Sequence, residues 1–192
     1  FSGDGIQTIS FGSASDDVVR AIALQPDDKI LLVGTATNGA GSSMALARLH
    51  TNGALDASFS GDGKTTLSIG TFFTDAYTAV LQVDNKIILA GSAKFGMSDD
   101  VALARFLPNG TLDTTFGNAG HTTTNLGSDA DSGNAIAVQP DGAIIVAGKT
   151  GTNRDFALLR YLNNGTLDNN FGNLGFTTTD FWGLDDFAKA VL

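Results

Sequence analysis

A segment of about sixteen residues recurs along the chain and constrains its fold more than any other feature. It reads NGALDASFSGDGKTT from Asn52, NGTLDTTFGNAGHTTT from Asn109 and NGTLDNNFGNLGFTTT from Asn164. The copies are separated by 57 and 55 residues. A nearly constant period of this length is typical of architectures in which one structural unit packs on copies of itself. The sequence therefore predicts a repeat protein.

Four phenylalanines mark the repeats. Counted from Phe1, Phe59, Phe116 and Phe171, a single domain 1–192 divides into repeats 1–58, 59–115, 116–170 and 171–192. The last repeat is incomplete, and we expect the chain to be a fragment or a processed protein. Two polar sets keep the same step: the arginines Arg48, Arg105 and Arg160, and the aspartates Asp56, Asp113 and Asp168. We interpret the repeated Phe, Arg and Asp residues as structural, because a residue present in every copy stabilises that copy. For the Arg and Asp residues we expect an ion pair or a backbone-capping contact, once in each repeat.

Each repeat contains four strand patterns. In the second copy they read GKTTLSI, YTAVLQ, KIILAG and VALARFL. Alternating threonines suit an exposed or edge strand, whereas the unbroken apolar run KIILAG predicts a strand buried on both faces. The segments QVDNK and Asn109-Gly110 provide the residues of tight turns between strands. No segment has a sustained helical period, so we expect essentially no helix.

Four antiparallel strands repeated every 57 or so residues predict an all-β fold, a β-propeller of four-stranded blades. A β-solenoid and a β-sandwich are the alternatives. The chain contains about 3.5 blades, and propellers usually have 4 to 8. We therefore expect other blades of a longer chain, or a second copy of this chain, to complete the ring.

The segments ALQPDDKILLVG and ALARLHTNGALDASFSGDGKTT, with their later copies, resemble the delta-60 repeat along the whole chain. The resemblance implies a β-propeller in a bacterial protein that is secreted or lies at the cell surface. It implies no catalytic residue. The second copy departs from the pattern at Val83, where the family has proline, and this change should not alter the hairpin.

Composition excludes several functions. The net charge of -9 argues against a nucleic-acid partner, which requires basic residues to neutralise phosphates. The absence of cysteine excludes disulfides and thiolate chemistry. No apolar run approaches the roughly 20 residues of a membrane-spanning helix, so we expect no membrane insertion. Since His50 and His121 lie at different repeat positions, we expect no histidine acid–base pair and no enzyme.

The loops between the third and fourth, and between the first and second, strand patterns vary in length. Variable loops on a rigid scaffold are the usual location of function. They carry the carboxylates of our candidate binding site: Asp17, Asp75, Asp100, Asp129, Asp131 and Asp186. Carboxylates are ligands for hard cations such as calcium, but aspartate is also an ordinary turn residue. We expect no resident cofactor and leave calcium open.

Three functional hypotheses follow. The first is a non-catalytic scaffold or interaction module of a secreted or cell-surface bacterial protein, with a protein or glycan partner. The second is lectin-like or cation-assisted carbohydrate binding at the acidic loops. The third is part of a larger enzyme whose active site lies outside this segment.

Overall fold

The computed structural model describes residues 3–12, 16–127, 130–151, 154–183, 185–186 and 188–191. Phe1 and Asp129, both named above, lie outside these residues. The described part contains twelve β-strands and no helix, as the sequence predicted. It accordingly has no helix that is long and apolar enough to cross a membrane.

The strands form three antiparallel four-stranded sheets. The first contains β1 (Asp16–Leu24), β2 (Ile30–Thr37), β3 (Ser42–Leu49) and β4 (Lys64–Leu67). The second contains β5 (Thr74–Leu81), β6 (Ile87–Phe95), β7 (Ser98–Phe106) and β8 (His121–Thr124). The third contains β9 (Ser132–Val138), β10 (Ile144–Thr150), β11 (Asp155–Tyr161) and β12 (Phe176–Thr179). Within each sheet the spatial order follows the chain, which is the order of a propeller blade.

The sheets do not coincide with the repeats counted from phenylalanine. The threonine-rich strands β4, β8 and β12 each pair with the last strand before the repeated Phe, and each lies at the end of its sheet. Every sheet thus takes three strands from one repeat and its fourth strand from the next. The residues around Phe59 and Phe116 therefore connect two strands of one sheet, and cutting the chain there would divide a blade.

Three recurrent glycines in the third strand pattern are explained by β-bulges. Gly34, Gly91 and Gly148 lie opposite the positions where β1, β5 and β9 shift register against their partners. A Cβ atom on these glycines would overlap a main-chain oxygen of the bulged strand. A bulge strengthens the local twist of a strand, and only glycine tolerates the close approach of its backbone.

The core lies between neighbouring sheets. The first and second sheets enclose one apolar cluster, including Leu31, Leu46 and Leu89, and the second and third enclose another, including Ile88, Leu103 and Leu159. The middle sheet is therefore covered on both faces, and β6 is buried from Ile87 to Ala93. The prediction that this strand pattern is buried on both faces is confirmed for the middle sheet.

The outer faces of the first and third sheets are less covered. Ile22 of β1 is 66% exposed, whereas its counterpart Ile136 in β9 is 8% exposed because the middle sheet covers it. Ile145 and Leu158 of the third sheet are half-buried, whereas their counterparts Ile88 and Leu103 are fully buried. The three sheets form an open row, and the described residues cover the apolar face at each end only in part.

Candidate functional site

The repeated polar residues gather at one end of the sheets, which we call the regular end. It consists of the turns 25–29, 82–86 and 139–143 and the connections 50–63, 107–120 and 162–175. Each connection begins with an Asn-Gly turn, in which the asparagine side chain accepts a hydrogen bond from the amide two residues later, for example Thr111 to Asn109 at 3.1 Å. This local bond holds the turn and directs the chain back towards the sheet.

Arg48 joins the first repeat to the turn of the next. Its Nε donates to Asp56 Oδ2 at 2.8 Å and its Nη2 donates to Ser58 Oγ at 3.1 Å. Its Nη1 donates to the main-chain oxygen of Pro108 at 2.6 Å, and the guanidinium lies 4.6 Å from the centre of the Phe59 ring. The arginine is buried, so these bonds replace the water that it loses.

Arg105 repeats this arrangement one blade later. Its Nε donates to Asp113 Oδ2 at 2.8 Å, its Nη1 donates to the main-chain oxygen of Asn163 at 2.6 Å, and it lies 4.6 Å from the centre of the Phe116 ring. Gln82 adds a bond to the Asn163 side chain at 2.7 Å. The predicted Arg–Asp pair is present in both repeats, but each arginine also binds the following repeat.

The glycines of the following Asn-Gly turns pack against the rings of the repeated phenylalanines. A Cβ atom on Gly110 would lie 2.9 Å from three atoms of the Phe59 ring, and one on Gly165 would lie 2.8 Å from the Phe116 ring. The rings of Phe59 and Phe116 are fully buried. Asn-Gly is therefore required here for its turn and also for the absence of a side chain against the aromatic ring.

The aspartates of this junction are strongly stabilised as carboxylates. Burial raises the pKa of Asp56, but the hydrogen bonds from Ser58 and the charge of Arg48 outweigh burial and hold the pKa well below its ordinary value. The same balance, with Thr115 and Arg105, lowers the pKa of Asp113. Both groups are charged at neutral pH, which is the state that the arginines require.

A histidine lies beside the first of these pairs, which the sequence did not indicate. His50 Nε2 is 3.6 Å from Asp56 Oδ1, and the Ser58 hydroxyl donates to the same carboxylate oxygen at 2.6 Å. A nucleophile–base pair needs the serine hydroxyl to donate to the histidine. Here both groups contact the same oxygen of Asp56, so the serine hydroxyl is directed at the carboxylate and not at the histidine.

The third copy of the junction is incomplete. Arg160 Nη1 lies 3.1 Å from Asp168 Oδ2, and its Nη2 donates to Asp141 Oδ2 at 2.7 Å, while its buried Nε has no partner among the described residues. The side chain is 27% exposed, compared with 8% for Arg48 and 5% for Arg105. Phe171 is half-buried. No following Asn-Gly turn is present in the 192 residues to cover it.

The opposite end, which we call the variable rim, consists of loops 38–41, 68–73 and 96–97 and the described residues of 125–131, 151–154 and 180–186. Three candidate carboxylates occupy one repeated position at this end, two of them in these loops and Asp17 near the start of β1. Asp17, Asp131 and Asp186 accept hydrogen bonds from the main-chain amides of Phe11, Leu126 and Phe181 at 2.9, 2.7 and 2.7 Å. In the remaining copy the Thr74 hydroxyl accepts the amide of Ile69 at 2.8 Å. A threonine serves as well as aspartate, so this position caps the loop.

The remaining candidates have separate partners. Asp75 accepts a hydrogen bond from Ser42 Oγ at 3.0 Å. Asp100 is buried and accepts bonds from Ser98 Oγ at 2.8 Å and Asn125 Nδ2 at 3.1 Å. Asp129 lies outside the described residues. The described candidates therefore accept hydrogen bonds from separate groups, and Asp75 joins the second sheet to the first through Ser42.

One acidic group was only partly indicated by the sequence. Asp155, Asp180 and Asp186 each place a carboxylate oxygen within 4.8 Å of the other two, and these oxygens could act as ligands of a cation. The pair Asp155–Asp180 occupies the position of Asp100–Asn125 in the second copy and of two hydrogen-bonded serines, Ser43 and Ser68, in the first. Aligning the ends of the fourth and first strand patterns would have revealed this pairing.

The sheets and their repeated junctions define a β-propeller repeat protein. The family described as a beta-propeller domain of unknown function, DUF5122, matches residues 25–59, 82–116 and 139–171. These segments make up more than half of the chain, and the chain belongs to this family. Each match runs from the glutamine of a hairpin turn to the region of the repeated phenylalanine, so it spans the Arg–Asp pair and the Asn-Gly turn. No curated protein matches the chain.

Proposed function

We propose that this chain is a non-catalytic β-propeller scaffold, an interaction module of a bacterial protein that is secreted or lies at the cell surface. The observation that carries the proposal is the use of the repeated polar residues. Arg48 and Arg105 donate hydrogen bonds both within their own repeat, to Asp56 and Asp113, and to the main chain of the following repeat. Residues committed to holding repeats together are not available for turnover of a substrate.

The arrangement of the two ends supports the same role. The regular end has nearly the same contacts in the first two copies, whereas the variable rim has different polar residues at equivalent positions. A rigid framework with variable loops is suited to presenting an interaction surface. The net charge of -9 favours solubility and disfavours nucleic acids. The resemblance to the delta-60 repeat supports an extracellular location.

The location is tested with an antibody against the chain. We expect the protein in the culture medium, or digested when intact producing cells are treated with a protease. Detection only after lysis, with protection in intact cells and a cytoplasmic protein as control, would contradict a secreted or surface location.

The scaffold role is tested against the lectin-like alternative on a glycan array, with and without calcium. We expect no glycan to be bound and calcium to leave the melting temperature unchanged. Calcium-dependent binding of a glycan, lost in an Asp155→Asn/Asp180→Asn double variant, would replace the scaffold with a carbohydrate-binding module.

A further inference from the structure

The third copy of the regular-end junction differs from the first two in two respects. No Asn-Gly turn follows it in the 192 residues, and Ala143 stands where Lys29 and Lys86 lie near the aspartate of their repeats. Arg48 binds the main-chain oxygen that precedes Asn109-Gly110, and Arg105 binds the oxygen that precedes Asn164-Gly165. Arg160 has the same position in its repeat, but its counterpart turn would lie after Leu192. The third copy therefore contains the arginine and the phenylalanine that contact the turn in the first two copies, but not the turn itself.

A second contact has the same pattern. The amides of Ser60 and Gly117, which follow the first two phenylalanines, donate to the main-chain oxygens of Asn109 and Asn164, each at 2.7 Å. Gly172 is their counterpart after Phe171. Its amide has no such acceptor among the residues that the structure describes.

Burial changes at the glutamine, the phenylalanine and the arginine that the missing turn would contact. Gln25 and Gln82 are buried, and their counterpart Gln139 is exposed. Phe59 and Phe116 are fully buried under a glycine, and Phe171 is half-buried. The buried Nε of Arg160 also has no partner among the described residues, whereas the Nε of Arg48 and of Arg105 donates to the aspartate of its own repeat. A guanidinium without its full set of acceptors is costly, and a neighbouring carbonyl would reduce that cost.

We infer that Gln139, Arg160, Phe171 and Gly172 form a receiving surface for one further repeat of this sequence type. The occupant is its Asn-Gly turn. The main-chain oxygen of the residue before the asparagine accepts from Arg160, the oxygen of the asparagine accepts from the Gly172 amide, and the glycine lies on the Phe171 ring. Glycine is required because a side chain there would meet the ring, as at Gly110 and Gly165.

The apolar face beside this surface fits the same occupant. Ile145 and Leu158 are half-buried, and their counterparts Ile88 and Leu103 are fully buried by the following sheet. A further repeat would supply such a sheet together with its turn. This inference rests on the proposed scaffold role and names the partner of its third blade.

The test measures amide hydrogen exchange in two proteins, the 192-residue chain and the same chain with a second copy of residues 139–192 joined after Leu192. Leu192 is the counterpart of Val138, so the added segment continues the repeat in register. In the shorter chain we expect the Gly172 amide to exchange at least about tenfold faster than that of Gly117, since of these two amides only that of Gly117 has an acceptor among the described residues. In the longer chain the two rates should become similar.

Two variants of the added segment identify the contact. Gly165→Val made only in that segment should return the Gly172 amide to fast exchange, whereas Thr166→Ser in the same turn should not. Gly117 reports in each sample that the junction between the second and third sheets is formed. If the longer chain does not fold, the shorter chain still decides: a Gly172 amide as protected as that of Gly117 overturns the inference.

Unchanged fast exchange of Gly172 in a folded longer chain also overturns it. Neither result bears on the scaffold role, which is tested by location and by the glycan array. A failed receiving surface and a failed scaffold are therefore distinguishable.

Discussion

The regular end and the variable rim use the same strands in opposite ways. At the regular end, Arg48 and Arg105 bind the following repeat through atoms at almost the same distances. At the variable rim, the counterparts of one residue pair are two serines, an aspartate with an asparagine, or two aspartates. The difference indicates that contacts between repeats require particular residues at the regular end. At the variable rim, any polar group that closes the loop is sufficient.

The largest effect should come from breaking a filled junction. Arg105→Ala leaves Asp113 buried without its guanidinium and removes the bond to the turn oxygen of Asn163. We expect the free energy of unfolding to fall by about 3–5 kcal/mol, the usual cost of an uncompensated buried charge. Urea unfolding measures it, with Arg160→Ala as the matched control at the incomplete junction. Equal losses in the two variants would mean that the turn contributes nothing.

Acid should weaken the same junctions. The pKa values of Asp56 and Asp113 are lower in the folded chain than in the unfolded chain, so their contribution is complete above the unfolded value of about 4. It is lost as the pH falls below that value through the folded pKa. The urea midpoint should therefore decrease below about pH 4. In Asp113→Asn, which is less stable at neutral pH, the decrease should be smaller, and a parallel decrease would assign the acid sensitivity to other carboxylates.

The stability that comes from the contact between Gly165 and the Phe116 ring can be measured separately from the effect of the left-handed backbone at that glycine. Gly165 and Gly39 both have a positive φ, 87° and 81° respectively, but only Gly165 faces a ring. Substitution by alanine should cost about 1–2 kcal/mol at each position for the left-handed backbone. Gly165→Ala should cost more because its Cβ meets Phe116, and thermal unfolding compares the two. Equal shifts would remove the aromatic contact from the junction.

The smallest effect is expected at an exposed residue of the variable rim, and a buried residue there provides the comparison. Asp131→Ala removes the acceptor of the Leu126 amide and of the Thr150 hydroxyl, and we expect a loss of about 1–3 kcal/mol. Asp180→Asn changes an exposed residue, and we expect a change within about 0.5 kcal/mol, in the stabilising direction because it removes a like charge. Chemical denaturation of both variants tests the order. A larger effect at Asp180 would show that the acidic group is part of the framework.

Much of the fold could be predicted because strands and turns are local. Alternating threonines, the apolar run of Lys86–Gly91 and the Asn-Gly pairs each indicate their structure within a few residues. The Arg–Asp pair was also predictable, since its members are eight residues apart across one turn. The bond from Arg105 to the oxygen of Asn163 was not, because it joins positions 58 residues apart through a backbone atom that any residue carries.

The carboxylates show the same limit. An aspartate in a variable loop is equally compatible with a cap and with a ligand, and the sequence could not choose between them for Asp17 or Asp131. In the structure both carboxylates accept a hydrogen bond from a backbone amide. The pairing of β11 with β12 also brings Asp180 close to Asp155. Such neighbours depend on strand register, which single positions do not encode.

By itself, the sequence determined that this chain is a repeat of four antiparallel strands with tight turns, because periodicity and turn chemistry act over short distances. Only the tertiary structure decided where a blade begins and ends. The threonine-rich strand follows the repeated phenylalanine but pairs with the strand before it. Pairing is decided by which strand edge is free to form hydrogen bonds, and β3 and β7 each present such an edge to the threonine-rich strand.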